Sequence, residues 1–391
     1  MRTADSIMTP PLSAEEAAHS EALAAHIAAA VRAGGGWLSF ERFMALALYA
    51  PGLGYYSAGS IKIGAGGDFV TAPQMSDLFS RCVAAQCAEV LADGGEILEF
   101  GAGTGRMAAA VLTELAARGC LPQRYAILEV SADLAQRQQR CIGALPATLA
   151  ERVVWLDRLP ERPVHGVILA NEVLDALPCR RFVLEAGAPR ELGVALEGTR
   201  LVERAAPADA ALTEEWARLS AELPAPLTDG YVSEICLQAG PWVGSAADAL
   251  QRGMMLLFDY GLPRAHYYHP QRVAGTLRCH YKHRVHDDPY VNLGVQDLTA
   301  WVDFTRIAES AVAAGLDVAG FATQAAFLLG TGIERLVAEA GDALEHARRA
   351  GEARRLLLPG EMGEAFKVMA LTRQCDAPLP GFALQDLRAS L

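Results

Sequence analysis

The chain has 391 residues, enough for a main domain with an insertion or second lobe, and its 52% hydrophobic and 20% charged residues describe a globular protein without a disorder signature. Acidic residues outnumber basic ones by 46 to 34, a formal charge of -12 that argues against nucleic acid, because backbone phosphates need clustered Lys and Arg. A basic peptide suits this balance better. The opening "MRTADSIMTPPLSAEE" has neither a charged n-region nor an apolar h-region, and no apolar run of about 18 residues suggests a membrane span, so a soluble, cytoplasmic protein is expected. The 8 cysteines are scattered with no CxxC pair, so neither a disulfide framework nor a metal site is expected.

"SAEEAAHSEALAAHIAAAVRAGGG" has helical spacing and ends in glycines that terminate helices, and "LSFERFMALALYAPGLGYYS" repeats the pattern as far as Pro51 and Gly52. After "IKIGAGGDFVTAPQM", Ser76 or Asp77 can cap a helix through Leu91, closed by Gly94 and Gly95. "EILEF" (96–100), "RYAILEV" (124–130), "RVVWL" (152–156), "GVILAN" (166–171) and "MMLLFDY" (254–260) are short apolar runs of the kind buried parallel strands produce. Helical stretches between the first three predict a doubly wound α/β sheet. "RRFVLEA", "RELGVALEG" and the helix-like "AALTEEWARLSAEL" read as an inserted α+β lobe. The polar stretch from Tyr260 to Gln296 reads as a loop too long to be a simple connector, and "MGEAFKVMALTR" supplies a last strand.

In "EFGAGTGRM", Gly101, Gly103 and Gly105 follow a strand directly and open an alanine-rich helix, so backbone N–H groups can approach a ligand that a Cβ would obstruct. The dinucleotide fingerprint GxGxxG would place a third glycine where Arg106 stands, which disfavours a nicotinamide cofactor. Glu99, two residues before the first glycine, suits an ammonium group and would repel a pyrophosphate. The E-x-G-x-G-x-G pattern resembles motif I of class I S-adenosyl-L-methionine-dependent methyltransferases. Glu129, at the carboxyl edge of the next strand, can accept both ribose hydroxyls in the crevice of such a sheet. Asp157 ends the third strand, on the side where adenine is met. Asn171 and Glu172 end the fourth, followed by Asp175 before Pro178. Paired carboxylates there match the planar fork of a guanidinium and would hold one nitrogen toward a sulfonium methyl, so positioning would carry much of the rate. The competing reading of Asp175 is a cap on the turn before Pro178.

Several motifs in order, "PGLGYYS", "GDFVTAPQMSDLF", "EFGAGTGRM", "YAILEVSADLAQRQ", "NEVLDALP", "FDYG", "GTLRCHYKHRVHDDPYVNLGVQDLTAWVDF" and "MGEAFKVM", together resemble the MidA-like S-adenosyl-L-methionine-dependent methyltransferases, over roughly Leu38 to Leu371. That family includes the mitochondrial respiratory complex I assembly-factor methyltransferase. The resemblance implies a class I, Rossmann-like methyltransferase fold and methylation of arginine in a protein such as a complex I subunit. It also implies that Asp68, Phe69, Thr71 and Pro73 border the methionine end of the cofactor, with Gly101, Ala102, Gly103 and Gly105 forming its loop. Gln74, Ser80 and Trp301 stand where the family pattern more often has Glu, Gly and His, which bears on substrate identity.

The expected organisation is N-terminal helices and a cofactor-edge loop over 1–75, a methyltransferase core over 76–179, 253–261 and 315–375, and an inserted substrate lobe over 180–252 and 262–314. His280, His283 and His286 lie in a segment that reads as a substrate-contacting loop or lid rather than a zinc helix. Rival readings are an assembly factor that binds cofactor without turnover and a small-molecule methyltransferase. A homodimer is compatible with the sequence.

Overall fold

The structure is a computed structural model that describes residues 10–58 and 71–391. The chain divides into two compact units, one within 10–58, 178–235 and 270–300, the other comprising 71–177, 236–269 and 301–391.

The second unit is built on a sheet whose main strands are β1 (Glu96–Phe100), β2 (Arg124–Leu128), β3 (Val153–Leu156), β4 (Val164–Asn171), β5 (Leu250–Leu262), β6 (Asp317–Thr323) and β7 (Phe366–Arg373). Their spatial order is 3-2-1-4-5-7-6. The first five are mutually parallel, and β7 runs antiparallel to both β5 and β6. This is the class I methyltransferase fold expected from the sequence. Alternate residues of each strand serve opposite faces. Ile97, Tyr125, Val167 and Leu256 pack with the helices Asp77–Val90 and Arg106–Ala117, while Leu98, Ala126, Ile168 and Leu257 pack with Ala239–Asp248 and Phe304–Ala313. Burial on both faces is why these strands read as unbroken apolar runs. Strand order reverses between β1 and β4, and ligands of open α/β sheets bind beyond the carboxyl ends of the strands at such a point.

Residues 236–252, 262–269 and 301–314, assigned above to the inserted lobe, lie in this second unit, as do 71–75 from the expected N-terminal part, while 178–179 lie in the first. The first unit has a five-stranded sheet containing Arg180–Glu185, Ala188–Glu197 and Arg200–Pro207, joined by Val232–Ile235 and by Trp37–Ser39. The helix Ala14–Ala33 opens it with a capping box in which Ser13 and Glu16 bond reciprocally. The stretch beyond Tyr260, expected as a long polar loop, carries short strands of its own. Within the first unit Arg278–Tyr281 and Arg284–His286 form a hairpin, with Asp297–Thr299 on its other edge. Its turn uses Lys282 at φ 46° and His283 at φ 61°, so the three histidines share no helical face. Among the described residues, no helix is long and apolar enough to cross a membrane, and no group of His, Cys, Asp and Glu could hold a metal.

Candidate functional site

The loop after β1 turns three times through left-handed backbone, with φ 62° at Gly101, 54° at Gly103 and 86° at Gly105. A side chain at any of these positions would strain the backbone. Gly105 caps the helix Arg106–Ala117 without a side-chain hydrogen bond, so the N–H groups of its first turn have no capping side chain. The loop is braced from its far side by the short helix Ala72–Met75. Gln74 donates its side-chain amide to Thr104 Oγ1, and the Arg106 guanidinium donates to the Gln74 carbonyl at 2.9 Å and to Asp77 Oδ1 at 3.0 Å. Arg106, noticed in the sequence only as a missing glycine, is therefore a brace. Thr71 is the N-cap of the helix Ala72–Met75 and is half-buried, and Pro73 lies in the first turn of that helix and is buried. Asp68 and Phe69 lie outside the described residues.

Glu129 follows β2 and lines a cavity of about 480 Å³ with Trp155, Asp157 and Leu159. One carboxylate oxygen accepts from Ser131 N–H and the other from Gln138 Nε2, each at 2.8 Å. Burial raises its pKa, and those hydrogen bonds act against the rise. Each oxygen has two lone pairs, so one on each is spare. A carboxylate with a spare lone pair on each oxygen, at the wall of a cavity of this volume, fits the hydroxyls of a nucleoside. Asp157 is exposed at the rim of the same cavity.

Glu99 departs from expectation. It shares the β1 face of Ile97, is 1% exposed, and accepts a 2.7 Å hydrogen bond from the Tyr125 hydroxyl. Burial pushes its carboxyl up to about 7. Strand alternation turns its side chain to the buried face of the strand, where the Tyr125 hydroxyl meets it.

Beyond β4, Asn171 and Glu172 are half-buried, and the Asn171 amide donates to Glu172 Oε1 at 3.2 Å. Glu172 has φ 53°, a left-handed conformation uncommon outside glycine, and its N–H donates to the Phe258 carbonyl at 2.8 Å. Asp259 holds the turn from below. One of its oxygens accepts the N–H groups of Leu174 and Asp175 at 3.0 and 3.2 Å, and the other that of Tyr260 at 2.9 Å. Asp175 is 4% exposed and accepts from the Tyr260 hydroxyl. Burial raises both carboxyls, and Asp259 is raised further by the charges of Asp175 and Glu172. Tyr260 is itself wedged between Phe366 at 5.3 Å and Trp301 at 6.5 Å, ring centre to ring centre. Asn171, Glu172 and Asp175 thus share one turn, but Asp175 faces inward, which the spacing in "NEVLDALP" could not reveal. Gln138, Asp259 and Tyr260 stand inside the motifs "YAILEVSADLAQRQ" and "FDYG", but no role could be read for them from sequence, because which groups they meet is set by tertiary contacts.

One family model, described as "Putative S-adenosyl-L-methionine-dependent methyltransferase", matches residues 81–322. Relatives include the mitochondrial protein arginine methyltransferase NDUFAF7 of Danio rerio, 26% identical over 88% of this chain and 86% of that one. The Mus musculus protein of the same name is 27% identical over 86% and 81%. A crystal structure from Burkholderia thailandensis bound to S-adenosyl-homocysteine is 43% identical with a TM-score of 0.93, covering 98% of this chain and 100% of that one. A native structure from the same organism has 42% identity and a TM-score of 0.90 over the same shares. The cytoplasmic placement expected from the sequence is overturned by the relatives' names, which are those of mitochondrial proteins. S-adenosyl-L-methionine is the cofactor, as the family description and the bound S-adenosyl-homocysteine of the similar structure both indicate. With the family matched over most of its length, this chain belongs to the S-adenosyl-L-methionine-dependent methyltransferases.

Proposed function

We infer that the chain methylates arginine in a protein substrate, of which a respiratory complex I subunit is the candidate suggested by the family resemblance. The observation that carries this reading is the braced turn after β4, where Asn171 and Glu172 present an amide and a carboxylate at the switch point of the sheet. The relatives named protein arginine methyltransferases support it. When bound, S-adenosyl-L-methionine supplies an electrophilic methyl on a sulfonium. Gly101, Ala102, Gly103 and Gly105 hold the amino-acid end, bordered by Thr71 and Pro73. Glu129 accepts the ribose hydroxyls and Asp157 lies on the adenine side. Glu172 pairs with the guanidinium and, with Asn171, holds one nitrogen in line for transfer; positioning of this kind accounts for much of the rate. The N–C bond forms as the S–C electron pair returns to sulfur, and the proton lost by the nitrogen passes to solvent. Asp175 acts from beneath, as the buried anchor of the turn.

The purified protein would be incubated with methyl-labelled S-adenosyl-L-methionine and an extract of its source cells, and the label located by gel and mass spectrometry. Label at arginine of one protein band is expected. Glu172→Gln should lower transfer by roughly 100-fold, an effect typical of a misplaced reactant, while S-adenosylhomocysteine binding persists. Label confined to small molecules, or no label from a protein that binds cofactor, would overturn the arginine reading.

A further inference from the structure

We propose that Gln138 is a positioning residue of the cofactor site: its buried amide ties the glycine loop to Glu129 and sets the direction in which that carboxylate meets the ribose. Gln138 lies on the helix Ala132–Gly143 and is fully buried. Its orientation is determined, because the Trp155 indole N–H can only donate and sits 3.0 Å from Gln138 Oε1. The nitrogen therefore faces the other way. It donates to the Gly103 carbonyl at 3.0 Å and to Glu129 Oε2 at 2.8 Å. Both N–H groups and the carbonyl are thus engaged, and the amide cannot turn without breaking all three bonds. Ser131 N–H holds the remaining carboxylate oxygen at 2.8 Å. What is left to Glu129 is one lone pair on each oxygen, the pattern that two vicinal hydroxyls take.

The backbone geometry makes the tie short. A Cβ on Gly105 would lie 3.1 Å from Gln138 Cα, so the loop and this helix touch where the amide crosses between them. Gln138 touches no ligand itself; it acts through Glu129 and through Gly103. The proposal rests on the reading of Glu129 as the ribose-binding residue given above.

The test compares S-adenosylhomocysteine with its 2′,3′-dideoxy analogue, by calorimetry on the full-length protein and on Gln138→Met and Gln138→Glu. The second variant keeps the side-chain size and the acceptor for Trp155, so it serves if the first does not fold. Two hydroxyls on a carboxylate should make wild type bind the parent roughly 100-fold or more tighter than the analogue. Both variants should bring that ratio to about ten-fold or less, because a carboxylate released from its amide no longer favours the ribose geometry. Variants that weaken both ligands equally and keep the wild-type ratio would overturn the proposal, leaving Gln138 as packing alone. A wild-type protein that does not distinguish the two ligands would instead remove the ribose reading of Glu129, and this proposal with it.

Discussion

A carboxyl group that is 1% exposed and accepts a hydrogen bond from a buried tyrosine hydroxyl is costly to ionise, and Glu99 is such a group. Burial raises it to about 7 in the folded protein, against an ordinary value near 4.5 in the unfolded chain. Between those values the folded state binds the proton and the unfolded state does not, so stability falls as pH rises through the window and is level above it. Glu99→Gln removes the titration. The variant should therefore gain on wild type between pH 5 and pH 8, by about 2–3 kcal/mol at most, as read by chemical denaturation at the two pH values. A difference that does not change with pH would put the Glu99 carboxyl back in the ordinary range. Sequence showed Glu99 and Glu129 as two acids flanking a glycine loop; the first is 1% exposed, and the second lines a cavity. The distinction is one of direction. Glu99 is inside its strand, where alternation decides which face it serves, whereas Glu129 comes just after one.

At the scale of elements, the parallel strands were legible because burial on both faces leaves apolar residues no alternative. "EILEF" is the strand Glu96–Phe100 to the residue, and "GVILAN" and "MMLLFDY" lie inside the longer strands Val164–Asn171 and Leu250–Leu262. The hairpin Arg278–His286 was not legible: its two short strands are polar, and its turn uses Lys282 and His283 where a glycine or asparagine would have signalled it. Contacts between the glycine loop and its neighbours are set by the same kind of unseen fit. Gly105 combines φ 86° with a helix backbone 3.1 Å from where its Cβ would be. Gly105→Ala should then cost about 1–2 kcal/mol in backbone strain alone, and more because Gln138 must give way. A lower melting temperature together with weaker S-adenosylhomocysteine binding is the expected pair of results. Unchanged binding in a destabilised protein would separate the loop's conformation from its ligand.

For the whole molecule, net charge bears on the kind of partner rather than on the fold. A formal charge of -12 on 391 residues favours approach of a basic protein segment, such as the arginine-bearing substrate proposed above. Such attraction is long-range and is screened as the Debye length falls from about 10 Å at 0.1 M salt to about 3 Å at 1 M. The contacts proposed for the cofactor are different in kind: backbone N–H groups, and a Glu129 carboxylate held by Ser131 and Gln138 at 2.8 Å. These short-range bonds inside a cavity are screened far less. Steady-state kinetics against a protein substrate should therefore show its KM rising several-fold from about 0.05 to 0.5 M salt, while the KM for S-adenosyl-L-methionine changes less than about two-fold and kcat holds. If both KM values climbed together, salt would be acting on the enzyme's own conformation. If neither moved, the acidic surface would have no part in recruiting substrate, and recognition would rest on the turn carrying Asn171 and Glu172.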